Sequence, residues 1–171
     1  MAGLWRRRKP NPNPTPDKPV LSPSNPTEVP RQLLKAHNEE RSGFDIRGLY
    51  LSHSLCQVAQ AHAQWMFDNN KMSHTGENRS TVGTRVRNAG YTAVAVGENI
   101  AHGYSTIESV MKGWMNSSGH RSNILRPQYI ECGLAQVDDY WCVVFTAPPL
   151  IGDNSTTKPQ LLCPTPLESP D

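Results

Sequence analysis

Residues 130–147 read IECGLAQVDDYWCVVFTA, and this stretch decides the fold. Two runs rich in β-branched and aromatic residues flank Asp138-Asp139, which is the pattern of an antiparallel hairpin with a two-residue turn. Such a turn places Val137 opposite Tyr140 and fixes the register of every pair behind it. The chain is therefore expected to build its sheet around this hairpin.

The same register bears on the cysteines, which are Cys56, Cys132, Cys142 and Cys163. The turn places Ala135 opposite Cys142, so Cys132 lies three positions out of register on the other face. A disulfide needs Cα atoms closer than about 7 Å, which this register does not give Cys132 and Cys142 without a bulge. Disulfides to Cys56 or Cys163, or free buried thiols, remain open.

Four segments upstream of the hairpin carry apolar residues at helical spacing. Ser105 with Glu108 has the pattern of a capping box and marks the start of the fourth segment, which Ser118-Gly119 would end. Helices combined with a small antiparallel sheet indicate an α+β fold with helices covering the sheet faces. The predicted elements are helices over about 28–42, 54–69, 80–89 and 105–117, and a strand over 93–100.

Proline and charge are concentrated at the N-terminal end of the 171-residue chain. Eight of its 15 prolines fall in the first 30 residues, where they block helical hydrogen bonds and favour an extended conformation. Residues 1–27 hold five basic side chains and one acidic one, so the remainder contributes −2 to the net charge of +2. A near-neutral body gives no electrostatic reason to expect nucleic acid as a partner.

Composition therefore predicts three regions: a basic, Pro-rich arm over residues 1–27, one domain over 28–150, and a Pro/Thr/Ser-rich tail over 151–171. No run of apolar residues is long enough to predict a transmembrane helix. The basic start is not followed by the apolar core of a secretion signal. We expect a removed signal, another export route, or display on a larger particle such as a virion, onto which the arm could dock the domain.

Three segments place an ionisable side chain at the end of a predicted element, and these side chains are His74, Glu98 and His120. Two histidines and a carboxylate are suitable ligands for Zn²⁺ or another divalent metal. They could equally form an acid–base set acting on a bound water, which makes the same three residues the catalytic candidates. Their spacing alone does not bring them together, and no motif indicates an organic cofactor.

These segments belong to a longer ordered set: His74-Thr75, NAGY at 88–91, GENIA at 97–101, WMNS at 114–117, GHR at 119–121 and NIL at 123–125. Together with Leu34-x-x-His37-Asn38-x-x-Arg41 in the first helix, they resemble the CAP superfamily. That superfamily includes the cysteine-rich secretory proteins, insect venom allergens and plant pathogenesis-related proteins. The resemblance is to its bacterial-type branch, the SCP-like extracellular proteins, and covers about residues 30–148.

The resemblance implies a three-layer α-β-α sandwich with a central antiparallel sheet. It also implies a cleft lined by two histidines and two acidic residues, which holds zinc in some members. His74, Glu98 and His120 match three of these four positions. Ser117 stands where the second acid is usual, a change shared with the bacterial-type branch, so a hydroxyl or water would complete the site. Glu77 is a possible replacement carboxylate.

Several conspicuous residues are expected to be structural instead. Trp65 and Trp114 fall in apolar helical stripes and are predicted to anchor the core rather than to stack on a ligand. His62 is predicted to pack on the second helix, and Asn99 to order its loop rather than to carry chemistry.

Three functions remain as hypotheses. The first is a secreted or surface-displayed binding module whose cleft holds a divalent metal and acts on an extracellular ligand or protein partner. The second is a protease-like hydrolase that depends on metal or on the histidine–glutamate set, although no Gly-x-Ser-x-Gly or His-Glu-x-x-His motif supports it. The third is a structural component docked through its N-terminal arm.

Overall fold

A four-stranded sheet lies at the centre of the fold. The structure is a computed structural model, and it describes residues 28–149. The strands lie in the order β1-β3-β4-β2. The elements in chain order are α1 Glu28–Ser42, β1 Tyr50–Leu51, α2 His53–Asp68, a 3₁₀ turn Glu77–Arg79, α3 Val82–Asn88, β2 Ala95–His102, α4 Ile107–Asn116, α5 Ser118–Ile124, β3 Glu131–Val137 and β4 Tyr140–Ala147.

The hairpin predicted from residues 130–147 is confirmed. β3 and β4 are antiparallel, with Val137 opposite Tyr140 and Ala135 opposite Cys142. Asp138 in the turn has φ 52°, the positive value that tight hairpin turns require. β2 pairs antiparallel with the other side of β4, whereas the two-residue β1 runs parallel to β3 at the edge.

Alternation along β4 divides the interior into two apolar layers, because successive side chains of a strand point to opposite faces. Trp141, Val143 and Phe145 pack with the helices α1, α4 and α5 on one face. Cys142 and Val144 pack with α2 and α3 on the other. The three-layer α-β-α sandwich is therefore confirmed.

Gly133 in β3 sets how closely α2 approaches the sheet. A Cβ at this position would overlap the backbone of Leu55 and lie 2.5 Å from the backbone nitrogen of Cys56. The first turn of α2 therefore rests directly on the strand, which no residue with a side chain would allow.

The motif in the first helix has a structural role. Asn38 brackets the backbone of Leu49, donating from Nδ2 to its carbonyl at 3.1 Å and accepting from its N–H at 2.7 Å. His37 is fully buried between the rings of Trp114 and Phe145. These contacts fix α1 against both the sheet and the segment that enters β1.

Arg41 completes this motif with a guanidinium that is fully buried and bonded to backbone carbonyls alone. Nε donates to Arg47 O at 2.8 Å, and Nη1 donates to Ile124 O at 2.7 Å and to Arg126 O at 3.0 Å. Nη2 donates to Tyr129 O at 3.0 Å. One side chain of α1 thus holds the end of α5 and the turn that leads into β3.

The fourth helix begins one residue later than the sequence pattern indicated, so the interpretation of Ser105 and Glu108 as its capping box is wrong. Thr106 is the N-cap, and its hydroxyl and that of Ser109 bond reciprocally to the two backbone N–H groups. The predicted end of this helix before Ser118-Gly119 is confirmed, because α4 ends at Asn116 with Ser117 as its C-cap. A second helix, α5, which the pattern did not indicate, begins at Ser118.

The buried cysteines Cys132 and Cys142 are free thiols, and they are not joined to each other, as the register predicted. Burial raises the pKa of both thiols well above the ordinary range, so both stay protonated at neutral pH. Cys163, with the predicted arm and tail, lies outside the described residues. In the described part of the chain, no helix has the length and apolarity needed to span a membrane.

We expect acid to destabilise the fold through His37. Burial lowers its pKa from the ordinary 6.5 to about 4, so the unfolded chain binds the proton first as pH falls. The stability that the neutral ring contributes is complete above pH 6.5 and is lost as pH falls towards 4. This difference corresponds to about 3 kcal/mol of unfolding free energy, measurable by urea unfolding across that window.

The matched variants for this test are His37→Gln and the exposed His53→Gln. The first should be less stable at neutral pH but should lose less stability on acidification, because the buried titrating group is gone. The second should follow the wild-type slope. Parallel slopes for wild type and His37→Gln would contradict the assignment.

We expect Gly133→Ala to destabilise the protein by about 3 kcal/mol, since its methyl group would force α2 away from β3. The control is Gly119→Ala on α5, where a Cβ meets nothing within 4 Å. That variant should be neutral or stabilising by about 1 kcal/mol. Thermal unfolding of the two variants measures the difference, and equal melting temperatures would refute the close approach of α2.

Candidate functional site

Glu98 lies in the middle of β2, opposite Val144 of β4, and its side chain points into the α2/α3 layer. Only 2% of that side chain is exposed. Its Oε2 atom lies 3.8 Å from the thiol sulfur of Cys142 on the neighbouring strand. A carboxylate at such a depth must be compensated by hydrogen bonds or opposite charge.

Arg85 of α3 supplies that compensation. Its Nη2 atom donates to Oε2 of Glu98 in a short ion pair. Its Nη1 atom donates to the backbone carbonyls of His74, at 3.2 Å, and Ser80, at 3.0 Å. With its side chain 12% exposed, Arg85 ties α3 to both the carboxylate and the loop that carries His74.

His74 engages the other carboxylate oxygen from the opposite side. Its Nδ1 atom lies 2.8 Å from Oε1 of Glu98, and 61% of its side chain is exposed. The imidazole therefore has one nitrogen fixed by the buried acid and its other edge at the protein surface. The pair thus has a buried end at Glu98 and an exposed end at His74.

His62 of α2 lies beneath the pair. Burial lowers its pKa, so the ring is neutral at pH 7, and its Nε2–H donates to Ser73 O at 2.9 Å. Nε2 is 3.9 Å from Oε2 of Glu98, and the buried Nδ1 finds no partner within residues 28–149. Gly76 allows this packing, because a Cβ there would lie 3.0 Å from Nδ1.

His120 reaches the site from α5 and is positioned through its backbone. Asn99 Nδ2 donates to His120 O at 3.0 Å, and Asn123 Nδ2 donates to Asn99 Oδ1 at 2.9 Å and to Glu98 O at 3.2 Å. Burial lowers the pKa of His120, and the neighbouring charge of His74 lowers it further. The structure thus joins His74 directly to Glu98. His120 is tied through its backbone to Asn99, the residue after Glu98, and lies near enough to His74 for their charges to interact.

The two remaining predicted residues lie at the margins. Ser117 is the junction between α4 and α5, and its hydroxyl makes no capping hydrogen bond there. Glu77 is exposed in the 3₁₀ turn and lines a groove along α2 together with Trp65. Trp114 is fully in the core, as predicted, whereas Trp65 is half-buried. Trp65 packs against the edge of the α2/α3 layer and stacks on His62 at 5.7 Å.

A divalent metal does not fit these residues as they stand. Both oxygens of Glu98 are already engaged, which leaves two imidazoles as available donors. Zinc sites in proteins use at least three protein ligands. Among residues 28–149, no group of three or more histidine, cysteine, aspartate or glutamate side chains could hold a metal ion. The metal site proposed from the sequence remains an untested prediction.

Sequence reasoning missed Arg85, Asn123 and the part that His62 takes in the site. Arg85 lies in a seven-residue helix with a second arginine two positions later, and no pattern distinguishes the buried one from the exposed one. The prediction that His62 packs as part of the second helix is confirmed, but its approach to Glu98 depends on how α2 packs on the sheet. Asn123 belongs to the NIL segment of the family motif, and nothing in the sequence indicated its bonds to Glu98 and Asn99.

Sequence comparisons support the resemblance found above. The profile of the CAP, or cysteine-rich secretory protein, family matches residues 34–145. The chain is 32% identical over 117 residues to the uncharacterized protein YkwD of Bacillus subtilis, covering 68% of this chain and 46% of that protein. It is 28% identical to the uncharacterized membrane protein YlbC of the same organism, covering 67% and 33%. The chain spans less than half the length of either relative.

Solved structures show the same fold. A Bacillus anthracis extracellular protein containing an SCP domain is 29% identical, with a TM-score of 0.67 over 73% of this chain and 44% of that one. An outer surface protein of Borrelia burgdorferi is 20% identical, with a TM-score of 0.64 over 69% and 91%. A Staphylococcus aureus cysteine-rich secretory protein is 22% identical, with a TM-score of 0.65 over 80% and 44%. The family profile covers well over half of the chain, and with this fold and these site residues the chain belongs to the CAP family of cysteine-rich secretory proteins.

Proposed function

We propose that this CAP domain is an extracellular binding module, and that its contact surface is the cleft presenting His74 and His120. One observation carries the proposal: Glu98 is 2% exposed and fully engaged, whereas the His74 side chain that it holds is 61% exposed. A buried acid that fixes an exposed imidazole makes a rigid surface for recognition, since the ordering cost is already met in the free protein.

The extracellular location rests on the similar proteins. The B. anthracis protein is described as extracellular, the B. burgdorferi protein as an outer surface protein, and the S. aureus protein as secretory. The buried thiols of Cys132 and Cys142 are compatible with an oxidising environment, because their raised pKa values suppress the reactive thiolate. The ligand is an extracellular molecule or protein partner.

A hydrolase is the second candidate, and the His74–Glu98 contact favours it. A carboxylate bonded to one imidazole nitrogen orients the other nitrogen as a general base in many hydrolases. The hydroxyl of Ser73, the residue before His74, instead donates to Thr75 O at 3.0 Å and accepts from Thr75 N–H at 3.1 Å. Without an activated nucleophile, the pair would need to act on a bound water.

The binding proposal predicts that the cleft histidines are needed for attachment. Fluorescently labelled domain should bind intact cells of the source organism saturably, and His74→Ala/His120→Ala should reduce that binding about tenfold, as loss of an interface hot spot does. Flow cytometry measures the difference. His53→Ala, an exposed histidine at the start of α2, is the control and should bind like wild type. Equal binding by the double variant would refute the proposed surface.

The two functions are separated by a screen of generic peptide and ester substrates. We expect no turnover above the buffer rate for the wild type, because the Ser73 hydroxyl is bonded to the backbone of Thr75 and not to the His74 imidazole. Turnover that disappears in Glu98→Gln, with the circular dichroism of the folded protein retained, would replace the binding proposal by the hydrolase.

A further inference from the structure

We infer that the guanidinium of Arg85 takes the place of a divalent cation in this cleft, so that the site is complete without metal and Arg85 keeps metal out. The inference does not depend on which ligand the cleft binds. It explains why the four-residue metal site implied by the family does not fit this chain, and it assigns a role to Arg85.

Charge balance is the first step. The Glu98 carboxylate is almost fully enclosed, and removing such a group from water is costly unless a cation or several donors replace the water. Arg85 donates to Oε2, and His74 lies 2.8 Å from Oε1. One positive charge and donors to both oxygens are therefore supplied by the chain itself.

The position of Arg85 is the second step, because its guanidinium is fixed from several sides. Nη1 holds the carbonyls of His74 and Ser80, which belong to the same loop as the metal candidate His74. Guanidinium is planar and always charged, which suits it to such multiple, directed contacts. An incoming metal would have to displace the Arg85 ion pair to reach Oε2 of Glu98, or the His74 contact to reach Oε1. The two Nη1 bonds to the loop oppose movement of Arg85.

The remaining donors are the third step. With Glu98 engaged, His74 and His120 stay available, and Ser117 offers a neutral hydroxyl instead of a second carboxylate. The exposed Glu77 lies in the groove along α2, and within residues 28–149 it joins no group of three side chains able to hold a metal ion. Two neutral imidazoles bind zinc more weakly than the three or four ligands of established sites. Removing the Arg85 charge should release Glu98 as a third, anionic ligand.

Zinc calorimetry on the folded chain tests this directly, using zinc chloride with wild type, Arg85→Gln, Arg85→Gln/Glu98→Gln and Arg87→Gln. Arg85→Gln should bind zinc about tenfold or more tighter than wild type, a gain of the size that one site residue contributes to metal affinity. The gain should vanish in the double variant. Arg87→Gln removes the same charge from an exposed position of α3 and should match wild type.

Tight zinc binding by the wild type that is lost in Glu98→Gln would overturn the inference, as would a folded Arg85→Gln that gains no affinity. If Arg85→Gln fails to fold, the inference is tested on the wild type by thermal unfolding. The melting temperature of the wild type should be the same in EDTA and in excess zinc, and a zinc-dependent rise would overturn the inference. These outcomes are independent of cell binding by the His74/His120 variants, so failure of one proposal does not mimic failure of the other.

Discussion

The buried carboxylate of Glu98 is the constraint on which the rest of the site depends. Its oxygens contact groups from α3, from the loop before the 3₁₀ turn and from β4, and His62 of α2 lies 3.9 Å away. Removing one member would leave an uncompensated charge in the interior, which costs more than the pair contributes when intact. The arrangement therefore specifies one conformation for several segments at once, and His74 takes its position from it.

The polar network also explains how a short helix and irregular loops stay ordered without a large apolar core of their own. Arg85 bonds two carbonyls of the loop, and Asn99 and Asn123 connect β2 to α5. Backbone groups that lack partners from a regular helix or sheet are thus paired by side chains, as buried polar groups must be. The family motif GENIA thus supplies two polar side chains with different partners. Glu98 contacts His74 and Arg85, and Asn99 bonds to the backbone of His120.

The sequence predicted those parts of the structure that depend on local periodicity. The hairpin register follows from alternation and a two-residue turn, and α1, α2 and β4 follow from their apolar patterns. The start of α4 differs from the prediction because Ser105 and Thr106 are both good N-caps. The structure uses Thr106, which forms a capping box with Ser109. The two-residue β1 was not predicted, since its parallel pairing with β3 comes from tertiary contacts.

For the site, the family motif identified His74, Glu98 and His120, but not the partner that decides what Glu98 can do. Arg85 and Arg87 look alike in sequence, and only the fold turns the first inward and the second outward. Trp65 lies at the edge of the apolar layer rather than at its centre, because a helical stripe indicates which face of a helix is buried but not how far the burial extends. A metal site inferred from ligand types alone therefore leaves out Arg85, the cation that already pairs with Glu98.

The buried Arg41 has a further consequence for how this domain can vary. Its guanidinium bonds to the carbonyls of Arg47, Ile124, Arg126 and Tyr129, and every peptide unit presents a carbonyl whatever side chain it carries. One residue of α1 therefore fixes the backbone path between α5 and β3. The exposed side chains of that segment can change in sequence without loss of these bonds. A lysine, with a single point of charge, could not hold four separate carbonyls.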